Sequence, residues 1–296
     1  MITRLLFLGR ALSLFALALA LTACGTAQLR DAQSHFSAGA AAENARTAVQ
    51  LNLGASGAAE TAAIGEYREA YRILDELLSS PRDSLSADGL LGTAKMLQIY
   101  SLWRALALSD GFAKNADTPA NSAGQDLNVE QLNTLKKTLA GDLSAGRVSL
   151  GLRDQLMLAA MDGLIEHERG LSATTYDEAE RQFFSAFCTI QTAVDSAPSD
   201  HGVAQYLRLT QLQTLAAWQG ASAAFRLTNA QRDQLSLALL NLGAAPACGL
   251  RTSVKTGLLS PSSGTLGAQL KAIGLEFPTL TKDCSQPLAD LCTNGR

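Results

Sequence analysis

Hydrophobic residues recur every three or four positions along most of the chain, the spacing that places them on one face of an α-helix. The clearest case is residues 60–79, where Tyr67, Tyr71, Leu74 and Leu77 share one side. Runs of β-branched residues are absent, and alanine and leucine, both strong helix formers, make up about a third of the chain. The pattern predicts an all-α protein.

Capping residues and helix breakers divide this pattern into about eight long helices. The candidate N-caps are Ser86, Asn128, Thr174 or Thr175, and Thr228, which has Gln231 in place for a capping box. The predicted helices are 28–53, 60–79, 87–109, 129–145, 151–169, 176–195, 202–225 and 228–242, with a short one at 265–273. Most connections are short, so neighbouring helices are expected to form antiparallel hairpins. Both an array of stacked hairpins and an irregular α-bundle fit this expectation.

Three segments with different composition follow one another along the chain. Residues 1–23 are basic and then apolar, residues 24–246 carry the helical pattern, and residues 247–296, after Pro246, are rich in Pro, Ser, Gly and Cys. The last segment is predicted to be an irregular tail with one short helix. The helical part is long enough to bury one elongated core or two compact ones.

The N-terminal segment has the form of an export signal. Arg4 and Arg10 precede the apolar run 11–21, and no acidic residue intervenes. A transmembrane helix needs about 20 apolar residues, whereas the apolar region of a secretory signal has about 7–15. We therefore expect residues 1–23 to be a cleaved signal peptide.

The residues Leu21-Thr22-Ala23-Cys24 at the end of this run resemble the lipobox of bacterial lipoproteins. The resemblance implies cleavage after Ala23, acylation of Cys24 on its sulfur and acylation of the new amino terminus. By analogy with enteric lipoproteins, Gly25 rather than aspartate after the cysteine favours the outer membrane, facing the periplasm, over the inner membrane. The alternative is an ordinary signal that ends near a cysteine by chance.

Two helices resemble the second helix of tetratricopeptide repeats. Ala179, Phe183 and Ala186 have the expected offsets, and residues 67–77 followed by Pro81 match more loosely. The first-helix signature and a strict 34-residue period are missing. The resemblance implies an array of helical hairpins with a concave face suited to binding other proteins.

The four cysteines other than Cys24 are Cys188, Cys248, Cys284 and Cys292. An even number in an exported chain suggests two disulfides, and three connectivities are possible. We favour Cys284–Cys292, which closes a short loop, together with Cys188–Cys248. A buried, unpaired Cys188 is the alternative; a metal site is disfavoured because no Cys-x-x-Cys spacing occurs.

Motifs that carry catalysis are absent from the sequence. It has no phosphate-binding loop, dinucleotide fingerprint, nucleophile elbow or His-Glu-x-x-His motif. Glu166, His167 and Glu168 are adjacent, but successive helical residues point about 100° apart, so they do not converge on one ion. We expect a solvated helix end there, and a capping role for Asp200 beside His201. No enzyme activity, cofactor or metal is expected.

The net charge and the aromatic residues limit the kinds of partner that the sequence predicts. The formal net charge is −3, and no basic stripe marks a nucleic-acid surface. Trp103 and Trp218 fall within apolar helical stripes, which predicts core positions; if exposed in a groove, either would be a natural anchor for a bound peptide or ligand.

The expected function is that of a lipid-anchored helical scaffold or adaptor, held at the membrane through Cys24 and binding other envelope proteins. Two alternatives stay open. One is a helical small-molecule-binding accessory lipoprotein of solute uptake, which would need a deep pocket with a few polar groups. The other is an envelope hydrolase whose catalytic residues are scattered along the chain.

Overall fold

The computed structural model describes residues 25–43, 57–79, 85–86, 89–112, 127–198, 201–255 and 292. These residues are helical or lie in turns, with no strand among them, so the all-α prediction is confirmed. The eight long helices in this part of the chain are α1 (residues 25–43), α2 (Gly57–Ser79), α3 (Leu91–Leu108), α4 (Val129–Ser144), α5 (Leu152–Leu171), α6 (Tyr176–Asp195), α7 (Gly202–Ala224) and α8 (Asn229–Lys255).

Three of the predicted N-caps are present. Asn128 and Gln131 form a reciprocal capping box at the start of α4. The Thr175 hydroxyl accepts from the Glu178 amide at the start of α6, so Thr175 rather than Thr174 is the cap. Thr228 and Gln231 cap each other before α8. These contacts span three residues, which is why the sequence reveals them.

The predicted start of the third helix is wrong. Leu85 and Ser86 belong to a separate helical turn, and α3 begins at Leu91 without a side-chain cap. Gly89 lies between them with φ +67°, and its amide donates to the Ser86 carbonyl. This left-handed residue turns the chain before α3 begins, and glycine adopts that conformation without steric cost.

The predicted end of the last helix, at residue 242, is also wrong. Helix α8 continues through Pro246 to Lys255, so the start of the predicted irregular tail is helical. Its buried residues continue past the proline at helical spacing: Leu235, Leu239, Leu242, Ala247 and Leu250. Packing of this apolar stripe offsets the loss of the backbone hydrogen bond that proline cannot donate. The predicted helix 265–273 lies outside the described residues.

The contacts divide the chain after Gly151 into two compact units. Unit 1 contains α1 to α4, with α3 packed against both α2 and α4. Gly92 allows the close approach on the α4 side, because the carbonyl of Ser149 occupies the place where a side chain would begin. Its core is formed by large apolar side chains with less than 2% exposure, including Leu74, Leu77, Leu85, Met96, Ile99, Leu102, Leu106 and Leu127.

Unit 2 contains α5 to α8. Helices α5 and α6 run antiparallel. Gly163 lies against Ile190, whereas Gly170, later in α5, lies against Phe183, which is earlier in α6. Helix α7 packs against α5, α6 and α8. Its Trp218 is fully buried in a cluster that joins α6, α7 and α8: Ala179, Phe183, Phe187, Leu212, Leu215, Leu235, Leu239, Leu242, Ala247 and Leu250.

Candidate functional site

Both tryptophans lie in the cores of their units, as their sequence context favours. Trp103 is 6% exposed and Trp218 is not exposed. The Trp218 indole Nε1 donates to the Tyr176 hydroxyl at 3.2 Å, and the Phe184 ring meets the indole edge to face. A binding role for either tryptophan required a ring exposed in a groove, and both rings are buried instead.

His167 is part of a contact between helices rather than a solvated helix end, which corrects that expectation. Its Nδ1 lies 2.9 Å from the Thr214 hydroxyl on α7, and its ring meets Phe183 on α6. The Thr214 hydroxyl donates to the Thr210 carbonyl, so we infer that it accepts from His167 Nδ1–H. Among the described residues, no cluster of His, Cys, Asp or Glu side chains is placed to hold a metal ion.

His201 itself caps α7, in the role we expected of Asp200. Its Nδ1 accepts from the Val203 amide at 3.3 Å. Asp200 lies outside the described residues.

A charged cluster in unit 1 joins three helices. Glu43 at the end of α1 accepts from the Tyr67 hydroxyl on α2 at 2.9 Å and pairs with the Arg104 guanidinium on α3. Arg104 also lies over the Trp103 ring, 4.8 Å from its centroid. Burial, followed by the charge of Glu43, raises the pKa of Tyr67 well above its usual range. No sequence signal pointed to this cluster, because its members are far apart along the chain.

A second charged cluster joins α3 to α4. Asp142, largely buried, accepts from Lys95 on α3 and from Arg147 just after α4. The hydrogen bond from Lys95 lowers the pKa of Asp142, and Arg147 acts in the same direction. In both clusters the charged groups are engaged with one another and hold helices together.

The disulfide bond between Cys188 and Cys292 shows that both pairings favoured from the sequence are wrong. Cys188 on α6 is bonded to Cys292, with the two Cα atoms 5.5 Å apart. Both residues pack against the core of unit 2. Cys248 on α8 is also disulfide-bonded. The favoured pairings joined cysteines that follow one another in sequence, whereas the fold brings Cys292 back to α6.

Exposed large hydrophobic side chains in the described part of the chain all belong to unit 2: Leu152, Leu171, Tyr206, Phe225, Leu237 and Leu240. Leu237 and Leu240 are 64% and 49% exposed. They are three residues apart on α8, so they are neighbours on its surface, away from buried Leu235 and Leu239. We call Leu237 and Leu240 the α8 apolar pair.

The proposed lipid site, Cys24, lies outside the described residues, but helix α1 begins at the next residue, Gly25. Helix α1 is packed into unit 1, where Leu29 is 4% exposed and Ala32 is buried completely. In the part of the chain that can be described, no helix is long and apolar enough to cross a bilayer.

No family model matches this chain, and the comparisons with curated proteins and with solved structures found no match either.

Proposed function

We propose that this protein is a lipid-anchored helical adaptor of the bacterial envelope. Acyl chains on Cys24 hold it at the periplasmic side of the outer membrane, where it binds other envelope proteins. The observation that carries the proposal is the sequence Leu21-Thr22-Ala23-Cys24 at the end of a basic and then apolar segment.

The physical basis of the anchor is the burial of acyl chains. Each buried CH₂ contributes about 0.8 kcal/mol, so a single chain binds a membrane only marginally and two or three bind it stably. In the folded protein, Leu29 is five residues beyond Cys24 and already packed. Helix α1 begins at Gly25, and at 1.5 Å per helical residue Leu29 is about 6 Å along the axis from Gly25. The anchor would therefore hold unit 1 next to the bilayer surface without an intervening flexible linker.

The binding role is supported by the α8 apolar pair. Isolated apolar side chains on a surface are ordinary, but neighbouring exposed leucines on one helix give a partner a place to bury apolar area. Contact with proteins is also consistent with a sequence that lacks catalytic motifs.

Replacing Cys24 with alanine tests the anchor. We expect the Cys24→Ala variant to lose incorporation of labelled palmitate and to leave the membrane fraction. Gly25→Asp is the matched control, because it keeps the cysteine; it should stay acylated while shifting to the inner membrane. An unmodified Cys24 thiol in the mature wild-type protein would contradict the anchor.

Site-specific photo-crosslinking in intact cells tests the binding role. A photoreactive residue at Leu237 or Leu240 should give the same discrete adduct with an envelope protein. Lys137 on α4 and Gln219 on α7 are exposed polar positions on other helices and serve as controls. Equal labelling at all four positions, or none at the leucines, would argue against this surface.

A further inference from the structure

The disulfides of unit 2 do not join cysteines in the order in which they occur in the chain. Cys188 is bonded to Cys292, 104 residues later. Cys248 lies between them in sequence and is engaged in a different disulfide. The native connectivity therefore passes over at least one other paired cysteine.

The order in which the cysteines become available favours a different bond. Chains are made, and domains begin to fold, from the N-terminal end. Cys188 is followed first by Cys248, whereas Cys292 comes a further 44 residues along the chain. A disulfide that forms before the chain is complete therefore has Cys248 as the first downstream partner of Cys188.

The core of unit 2 also brings Cys188 and the residues around Cys248 together. Cys188 packs against the unit 2 core, and Ala247 and Leu250, which flank Cys248, belong to that same core. Hydrophobic collapse of α6, α7 and α8 thus brings both cysteines to one apolar cluster. Loop-closure entropy depends only weakly on length, so it gives the longer, native loop no advantage.

We propose that unit 2 is a client of a thiol–disulfide isomerase, which converts an early Cys188–Cys248 bond into the native Cys188–Cys292 bond. This partner is recognised by its chemistry, a reactive thiolate that attacks protein disulfides. The proposal rests on the proposed export of the chain, because disulfides form and persist in oxidising compartments.

The exchange conserves electrons. The initial bond forms when a disulfide-bearing oxidant accepts two electrons from the thiols of Cys188 and Cys248. The isomerase thiolate then attacks the Cys188 sulfur, and the Cys248 thiolate leaves. The Cys292 thiolate attacks the same sulfur in the mixed disulfide and releases the isomerase thiolate. The freed Cys248 then enters its own native bond through a second oxidation by the same class of oxidant.

Pulse-chase labelling of the protein during export from bacterial cells tests this inference, because the cysteines then emerge in chain order. The cells contain a dithiol oxidase alone or together with a disulfide isomerase, free thiols are blocked at intervals after the pulse, and the disulfides are mapped in non-reduced peptides. With the oxidase alone, the Cys188–Cys248 peptide should accumulate. The isomerase should accelerate formation of Cys188–Cys292, because disulfide reshuffling takes from seconds to hours depending on the oxidant and the isomerase present.

The control is the Cys248→Ser/Cys284→Ser double variant, which leaves Cys188 and Cys292 without competing thiols in unit 2. The isomerase should leave its rate of forming Cys188–Cys292 unchanged. If the wild type forms Cys188–Cys292 with the oxidase alone and no Cys188–Cys248 peptide appears, the inference is overturned, even if the double variant fails to fold.

The same peptide map separates this inference from the proposed function. An unmodified Cys24 would remove the lipid anchor and leave the order of disulfide formation unaffected. Absence of the Cys188–Cys248 species beside an acylated Cys24 would remove the isomerase dependence alone.

Discussion

The hydroxyl of Tyr67 donates a hydrogen bond to the carboxylate of Glu43 across 2.9 Å, from a ring that is only 2% exposed. The same carboxylate pairs with Arg104. Phe36 on α1 meets the Tyr67 ring edge to face, with the ring centroids 5.2 Å apart. Tyr67 therefore joins α1 to α2 through both its ring and its hydroxyl.

We expect Tyr67→Phe to destabilise unit 1 by about 1–3 kcal/mol, because it keeps the ring and removes a hydrogen bond to a charged acceptor. The free energy of urea-induced unfolding measures this change. Glu43→Gln keeps an acceptor for the hydroxyl but removes the charge that Arg104 neutralises. If Tyr67→Phe leaves the unfolding midpoint unchanged, the Tyr67 hydroxyl does not stabilise the contact between α1 and α2.

Alkaline pH should weaken unit 1 through Tyr71. Burial, followed by the charge of Asp75, raises the pKa of Tyr71 to about 12 from its ordinary value near 10. A raised pKa means that the folded state holds the phenol proton more tightly. Its contribution to stability is therefore complete below pH 10 and is lost as the pH rises from about 10 to 12.

The Tyr71→Phe variant isolates this effect. Its unfolding free energy should fall less steeply than that of the wild type between about pH 10 and pH 12. The variant lacks the Tyr71 phenol proton, which the folded state holds more tightly than the unfolded state. Parallel pH profiles for the two proteins would mean that Tyr71 titrates alike in the folded and unfolded chains.

Acidic pH should weaken the contact between α3 and α4 that Asp142 makes. The hydrogen bond from Lys95 lowers the pKa of Asp142, so the contribution of this carboxylate is present above the unfolded pKa of about 3.9 and is lost as the pH falls through the lower folded value. At neutral pH, Asp142→Asn should cost about 1–3 kcal/mol, since it weakens hydrogen bonds between charged groups. The difference from wild type should shrink below about pH 4.

The two partners of Asp142 provide an internal comparison. The Lys95 side chain is 22% exposed and that of Arg147 is 64% exposed. Exposed ion pairs contribute little, so Arg147→Gln should cost less than about 1 kcal/mol and less than Lys95→Gln. Chemical unfolding of both variants gives the order directly, and the reverse order would contradict this description of the cluster.

Two glycine-to-alanine changes should have opposite signs. Gly92→Ala places a methyl group where the Ser149 carbonyl lies, so we expect it to destabilise unit 1 by about 2 kcal/mol or more. At Gly65 on α2, nothing lies within 4 Å of the added atom. Gly65→Ala should therefore stabilise the helix by up to about 1 kcal/mol. Thermal melts compare the two, and equal melting temperatures would refute the close approach at Gly92.

The helical class and most helix positions follow from the sequence, because they depend on contacts within a few residues. The caps at Asn128, Thr175 and Thr228 each bond a group three positions away. The buried stripe of α2, including Tyr67 and Leu74, follows from apolar spacing alone. The proposed lipid site is likewise a purely local pattern around Cys24.

Local rules were misleading where packing outweighed them. Pro246 marks a helix end by its chemistry, yet α8 continues because Ala247 and Leu250 bury their side chains beyond it. The sequence likewise left three disulfide connectivities open, and the return of Cys292 to α6 selects among them.

The sequence by itself determined the positions of most helices and which of their faces are apolar, because those properties depend on neighbours three or four positions apart. Only the tertiary structure decided the partners of Glu43, Asp142, His167 and Cys188. Their partners are distant along the chain, so no local spacing encodes them. They meet only because packing of the apolar faces sets the position of one helix against another.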